Sequence, residues 1–430
     1  MPADTFAKQP NKIIARVVSI VAIAAVCAFC WFAVCTQLGS LLADVTSPSR
    51  DDALDVAEFA SAIAPRDPRP PWLAATKLQQ SFTPADLERS VSLLEQATRL
   101  APSDYLMWDE LARGYEQAER FGDAEGALRR SIELAPAYAI PHWQMGNFLL
   151  RQDRIDEAKA ELKRTTETSS AYRDQVYTLA WDFFGKNPAR VEELASDSAD
   201  ARANLASFYA QRDAGRDSLR IWNTLSPEQK NYYGFIAKGM ARRLYETGFV
   251  REALAVARDV GLAKDAQDET VNNGGFEKFI GDYQDTLFGW MIFRSDSRFE
   301  ALPDSQVKTE GNRSLRVVFR NYVKADLYNI AQIVTVEPSR RYRLTFKLRT
   351  DNLRSGGAPY LQIAAVKTNS ELAKSEPFPI GSNDWQEIAL DFTVPDRVEG
   401  VEIRTLRINC GDECPIAGTF WYDDFRLVRL

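Results

Sequence analysis

Catalysis needs nucleophiles, bases or metal ligands at workable spacings, and this sequence holds few of them. One residue in 430 is a histidine, His142. That excludes a histidine-rich metal site, and a Ser-His-Asp arrangement would have to run through this residue. The chain has no Gly-x-Ser-x-Gly elbow, no HExxH and no glycine-rich phosphate loop. Three of its five cysteines, Cys27, Cys30 and Cys35, fall in an apolar run, which leaves Cys410 and Cys414 in NCGDECP. A disulfide between these two would pin a tight loop, contribute about 2 kcal/mol on a chain-entropy argument, and suit an oxidising compartment. Zinc needs four ligands, and the spacing is not the Cys-x-x-Cys of redox centres. Carboxylates are plentiful, 60 Asp and Glu against 53 Lys and Arg. A pair of them flanking a cleft would be the one route to glycoside hydrolysis, whereas Glu110, Glu116 and Glu157 read as a solvated helical face. The net charge of −7 leaves no broad basic surface, so no nucleic-acid partner is expected. Asn312-Arg313-Ser314 is a sequon that matters only in a eukaryotic secretory pathway.

The elements that would position such groups begin with an apolar segment. No charge lies between Arg16 and Asp44, and the nineteen residues from Val17 to Cys35 are almost wholly apolar. They reach roughly 28 Å as a helix, close to a bilayer's hydrocarbon thickness. Lys8, Lys12 and Arg16 precede the run, and Asp44, Arg50, Asp51 and Asp52 follow it. By the positive-inside rule, residues 1–45 are a cytoplasmic N-terminus and a single transmembrane helix in the inner (plasma) membrane, with the bulk of the chain periplasmic or extracellular. The competing reading is a cleaved signal peptide, but the run is longer than the usual apolar region and no small-x-small site closes it well.

A period of 34 residues follows. It relates Leu94, Leu128 and Leu162, Pro102 and Pro136, Ala124 and Ala158, Leu111 and Met145, and Ala112 and Gly146. Trp108, Leu111, Ala112 and Tyr115 share one helical face, and small Ala112 admits a partner helix that presents Ala124, Ala127, Leu128 and Ser131. Pro136 then stops that second helix. The second unit keeps Met145, Gly146, Leu149, Ala158 and Leu162, with Trp143 one place later than Trp108 predicts. This pattern resembles the tetratricopeptide repeat. Looser units recur at Leu205-Ala206-x2-Tyr209 with Trp222, and at Met240-Ala241-x2-Leu244 with Ala253 and Ala257. Residues 51–262 therefore read as five or so helical hairpins in an α-solenoid. The resemblance implies a groove that binds protein partners.

From Val271 the texture changes to period two. Tyr342, Leu344, Phe346 and Leu348 face one way, and Arg343, Thr345, Lys347 and Arg349 the other. Seven or eight such strands in residues 271–430 predict an antiparallel β-sandwich, which completes a multidomain α + β chain. Asn273-Gly274-Gly275-Phe276-Glu277 with Gly289-Trp290 at one end, and Tyr422-Asp423-Asp424-Phe425 at the other, resemble the opening and closing strands of carbohydrate-binding modules of the galactose-binding-like jelly-roll type.

That resemblance implies a structural calcium ion joining the two ends, with Glu277 and Asp424 as ligands and Asp423 as the alternate. It also places Trp290 and Trp385 in the core. A glycan site would need rings to stack on sugars beside polar groups; Tyr328, Gln332, Arg349, Tyr360 and Gln362 are the candidates, provided the strand register leaves them on one open face. The expected function is a non-catalytic membrane adaptor that binds protein partners through its repeats and a polysaccharide through its jelly roll, as in exopolysaccharide or envelope assembly or export. The alternatives are a protein scaffold of a secretion or division complex, which would need a flat apolar patch, and a glycan-active enzyme, which would need a carboxylate pair in a groove.

Overall fold

The computed structural model describes residues 12–278, 280, 287–292, 299–324, 330–407 and 414–430, with side chains described from Arg16 onward and not at 320–324. It divides into two compact units, Met1–Ala180 with Ala189–Leu194, and Trp181–Pro188 with Ala195–Leu430.

The first unit opens with α1 (Lys12–Val45). Its Arg16–Val45 stretch is long and apolar enough to cross a membrane, and its most apolar part has none of its surface buried. The helix continues well past Cys35, and there it changes character. Ala43 is buried with Ala57, Leu73 and Ala74, a Cβ on Gly39 would stand 2.5 Å from that of Ala64, Asp44 pairs with Arg69 at 2.6 Å, and Ser40 bonds the carboxylate of Asp67. The last turns of α1 are thus fixed to the first helices after it, α2 (Ala53–Ile63) and α3 (Arg69–Gln79).

Hairpins follow: α3 with α4 (Pro84–Leu100), α5 (Tyr105–Gln117) with α6 (Phe121–Leu134), and α7 (Ala139–Arg151) with α8 (Ile155–Thr168). The small-residue argument holds in the geometry. A Cβ on Gly146 would sit 2.7 Å from Leu162 Cγ, so α7 and α8 meet closely because that atom is missing. Trp108 Nε1 donates to the Pro102 carbonyl at 3.0 Å, and 34 residues on it is His142, not Trp143, that repeats this bond, Nε2 to the Pro136 carbonyl at 3.0 Å. A buried imidazole therefore does the indole's work.

Next in the chain come α9 (Ser170–Phe183) and α10 (Pro188–Glu192). The second unit then holds α11 (Ala199–Gln211) with α12 (Gly215–Trp222), α13 (Pro227–Tyr232), and α14 (Gly234–Glu246) with α15 (Val250–Asp259). Leu205, Ala206, Tyr209, Trp222, Met240, Ala241, Leu244, Ala253 and Ala257 are all buried, as their spacing predicts.

The sandwich consists of β1 (Met291–Ile292), β2 (Phe299–Asp304), β3 (Ser314–Lys324), β4 (Ile330–Thr335), β5 (Arg341–Ser355), β6 (Pro359–Ala365), β7 (Glu371–Lys374), β8 (Gly381–Thr393), β9 (Gly400–Arg407) and β10 (Pro415–Arg429). They form two antiparallel sheets, ordered β1-β4-β9-β6-β7 and β2-β3-β10-β5-β8. Strands β5, β8 and β10 outrun the alternation seen in the sequence because register shifts interrupt it, as between Leu348 and Thr350. The inward rows pack an aromatic core in which Phe346 stacks on Phe425 at 5.0 Å. One buried polar link, Thr405 Oγ1 to the Tyr422 hydroxyl at 2.9 Å, ties β9 to β10 across the core.

The last helical hairpin belongs to the same unit as the sandwich and packs on it. Arg251 donates to the Val336 carbonyl at 3.0 Å, Lys367 lies 3.8 Å over the Phe249 ring, and a Cβ on Gly400 would press on Val250 at 2.5 Å.

Candidate functional site

In an antiparallel pair, partners opposite each other share a face. In the β1-β4-β9-β6-β7 sheet, Ile363 pairs with Ile403 and Val334 with Val401, all core residues, so their neighbours Gln362, Arg404 and Glu402 stand on the outer face. There a continuous polar network crosses three strands. Arg404 donates to Gln362 Oε1 from Nε and Nη2 at 2.8 and 2.6 Å and pairs with Glu402 at 3.0 Å. The Gln362 amide nitrogen donates to Glu371 at 2.7 Å, and that bond, with Lys374, holds the Glu371 carboxyl below its ordinary range. Tyr360 stands two residues before Gln362 on the same face, half-exposed, opposite Leu406. A half-open ring beside planar, pre-oriented amide and guanidinium groups is the arrangement that stacks on and hydrogen-bonds to a sugar.

Of the five glycan candidates, the structure brings Tyr360 and Gln362 together and separates the others. Gln332 pairs with Ile403 and therefore faces the core side. It is fully buried, and its amide exchanges bonds of 2.7 and 2.8 Å with the Asn272 backbone, out of a ligand's reach. Arg349 lies on the outer face of the opposite sheet, 5.9 Å over the Trp421 ring and 3.8 Å from Asp384. Tyr328 lies outside the described residues. Arg404 and Glu402 escaped the sequence reading because charged residues on a strand read as solvated until a partner strand is known.

Trp290 is buried as expected, its Nε1 bonded to the Asn273 carbonyl at 3.1 Å and its ring 4.9 Å from Phe425. Trp385 corrects the expectation. It lies on edge strand β8, half-exposed, because no further strand flanks β8 in its sheet and the register shift after Leu348 breaks the inward alternation.

The two ends of the sandwich do meet. Phe425 N donates to the Gly274 carbonyl at 3.0 Å, and a Cβ on Gly274 would overlap the Phe425 carbonyl oxygen. The carboxylates there bind a loop. Glu277 accepts from Asn312 N and Arg313 N at 2.6 and 3.1 Å, and these bonds hold its carboxyl low. Asp423 accepts from Thr309 N and Oγ1, both at 2.8 Å. Asp424 is engaged by Arg426 at 2.6 Å and Lys347 at 3.6 Å. Both N–H donors meet Glu277 at Oε1 and Arg426 meets Asp424 at Oδ1, so a calcium ion joining these residues would have to displace or share those partners. Among the described residues no group of three or more His, Cys, Asp or Glu side chains is placed to hold a metal. Cys414 is disulfide-bonded, and Cys410 lies outside the described residues.

Comparison with known proteins bears on each part. Residues 268–406 match a family model described as a carbohydrate binding domain. Over 135 residues the chain is 24% identical to WD and tetratricopeptide repeats protein 1 of Mus musculus, a match covering 30% of this chain and 20% of that protein. The chain thus spans about one fifth of the length of this relative. Similar solved structures include one described as CBM4 structure and function (17% identity, TM-score 0.28, 37% of this chain and 99% of that one). Another is the crystal structure of MamA protein (15% identity, TM-score 0.32, 42% and 93%). A third is the CBM22-1 xylan-binding domain from Paenibacillus barcinonensis Xyn10C (10% identity, TM-score 0.25, 36% and 91%).

Proposed function

We propose that this protein is a single-pass membrane adaptor with no reaction of its own. Its helical repeats dock protein partners, and the outer face of the β1-β4-β9-β6-β7 sheet holds a glycan, in the assembly or export of an exopolysaccharide or another envelope component. The N-terminus is cytoplasmic and both units face the periplasm or cell exterior. Supporting that topology are Lys8, Lys12 and Arg16 before the apolar run and the disulfide at Cys414, which suits an oxidising compartment.

The observation that carries the reading is the Glu371–Gln362–Arg404–Glu402 network beside half-exposed Tyr360, within a segment that matches a carbohydrate binding domain. Each polar group in it is already aimed, so a sugar binds without ordering them first.

The test is a glycan array probed with the full chain in lipid nanodiscs. The expected result is saturable binding to a defined glycan class that is lost in Tyr360→Ala and in Arg404→Ala. Binding to no glycan by a folded sample overturns the sandwich's role and leaves a protein scaffold.

A further inference from the structure

The second unit contains a cleft lined by none of the residues of the Tyr360 face. It follows the first turns of α14 and the end of α15, encloses about 510 Å³, and is lined by Phe235, Lys238, Arg258, Asp259 and Lys264 among others. A second hollow of about 310 Å³ shares Gly261 and Lys264 with it and continues to Lys278 and Trp290 at the opening of the sandwich. Most charges here are spoken for. Arg258 pairs with Asp268 at 2.9 Å, Asp259 with Lys230 at 2.8 Å, and Asp265 with Lys278 at 2.9 Å.

Lys238 and Lys264 form no ion pair among the described residues. Two lysines without a close ion pair stand at one cleft in a chain of net charge −7, Lys264 acting only at longer range on the Asp265 carboxylate that Lys278 holds. Beside them Phe235 is 73% exposed, a large apolar ring that folding leaves in water. Lys264 follows a turn at Gly261, whose φ of +76° favours glycine, and the lysine stem lies over that residue, its Cε 2.9 Å from where a Cβ would stand.

We propose that this cleft binds an acidic glycan, with a sugar carboxylate between Lys238 and Lys264 and a pyranose ring stacked on Phe235. Cation and aromatic ring together match a uronate-type sugar, which offers a negative charge and an apolar C–H face on one ring. The choice of a sugar over another polyanion rests on the glycan-binding reading above, and the cleft adds the charge class of the polymer.

The experiment titrates the full chain, in nanodiscs of zwitterionic lipid at low salt, with hexagalacturonate, with neutral cellohexaose and with hexaglutamate. In Lys238→Gln/Lys264→Gln and in Phe235→Ala, affinity for hexagalacturonate falls at least tenfold while the unfolding midpoint stays put, because all three side chains are exposed. The loss shrinks as salt rises. Absence of hexagalacturonate binding in the native chain, or binding indifferent to these variants, overturns the proposal. Hexaglutamate binding of equal strength, lost in the same variants, overturns it in favour of an acidic-peptide site. Tyr360→Ala reports separately on the sheet face. If that face binds no glycan while hexagalacturonate still depends on the lysines, the face reading falls and the cleft stands.

Discussion

Gln362 Oε1 accepts two hydrogen bonds from the Arg404 guanidinium, 2.8 Å from Nε and 2.6 Å from Nη2, across a cross-strand pair of β6 and β9. The amide thereby fixes a cation's plane on the outer face of a sheet, next to Tyr360. Replacing each residue separates recognition from support. Tyr360→Ala should lower glycan affinity by roughly two- to tenfold, since stacking is worth about 0.5 to 1.5 kcal/mol beyond burial, and leave stability near native. Gln362→Leu should lower affinity as well, and also cost about 1 to 3 kcal/mol of stability by leaving Arg404 Nε and Nη2 without their acceptor, while Nη1 keeps Glu402. Titration calorimetry and urea unfolding on the same samples check both halves.

The junction of the sandwich ends predicts indifference to calcium. Glu277 is engaged by the backbone of Asn312 and Arg313, so adding EDTA or millimolar calcium should leave the unfolding midpoint of the second unit unchanged. A midpoint that rises with calcium would show that the ion displaces those N–H donors.

Asp109, buried in α5, should make the first unit less stable as pH rises. Burial, with Glu110 and Asp104 adding to it against the Ser131 hydroxyl, pushes its carboxyl from 3.8 up to about 6. A folded-state value above the unfolded one favours the protonated native form. Its contribution is fully present below 3.8 and is lost as pH rises through about 6, a loss of roughly 3 kcal/mol by pH 7. Asp109→Asn should therefore stabilise the unit at pH 7.5 by about 1 to 3 kcal/mol and converge with the native chain at pH 4. Denaturant unfolding followed by helical circular dichroism reads this directly.

His142 acts in the same direction at higher pH. The hydrogen bond that His142 Nδ1 donates to the Glu161 carboxylate, at 2.5 Å, and the one from Nε2 to the Pro136 carbonyl raise its pKa above 6.5 against the cost of burial. The stabilisation is complete below 6.5 and is lost as pH rises through the elevated value. Glu161→Gln should flatten the stability profile between pH 6 and pH 8.5. An unchanged slope in that variant would assign the dependence to other groups.

The helical half was legible because its signal is local. Leu94, Leu128 and Leu162 repeat at a fixed interval, and small residues stand where helices touch, as Gly146 does against Leu162. The one slip has a chemical cause. Trp143 looked like a displaced Trp108, but the position is defined by a ring N–H reaching a proline carbonyl, and His142 supplies that donor with a different residue type. The end of the apolar helix was hidden for another reason. Gly39, Ser40 and Ala43 are apolar or small enough to suit lipid or protein equally, and only their contacts with Ala64, Asp67 and the helices after them show which they meet.

In the sandwich, sequence by itself determined the strands with strong alternation and the shared face of Tyr342, Leu344, Phe346 and Leu348, which is the buried one; the nearness of its two ends came from the family resemblance, and the structure places the contact at Gly274 and Phe425. Tertiary structure alone decided which polar residues are available. Gln332 and Gln362 are the same residue in similar apolar strands, yet one pairs with Ile403 and is sealed against Asn272, while the other, also buried, pairs with Arg404 on the outer face and orients that guanidinium. Alternation says which residues of a strand share a side. Which side is covered depends on partner strands some 40 to 70 residues away in the chain and on what packs over them, and no local pattern encodes that.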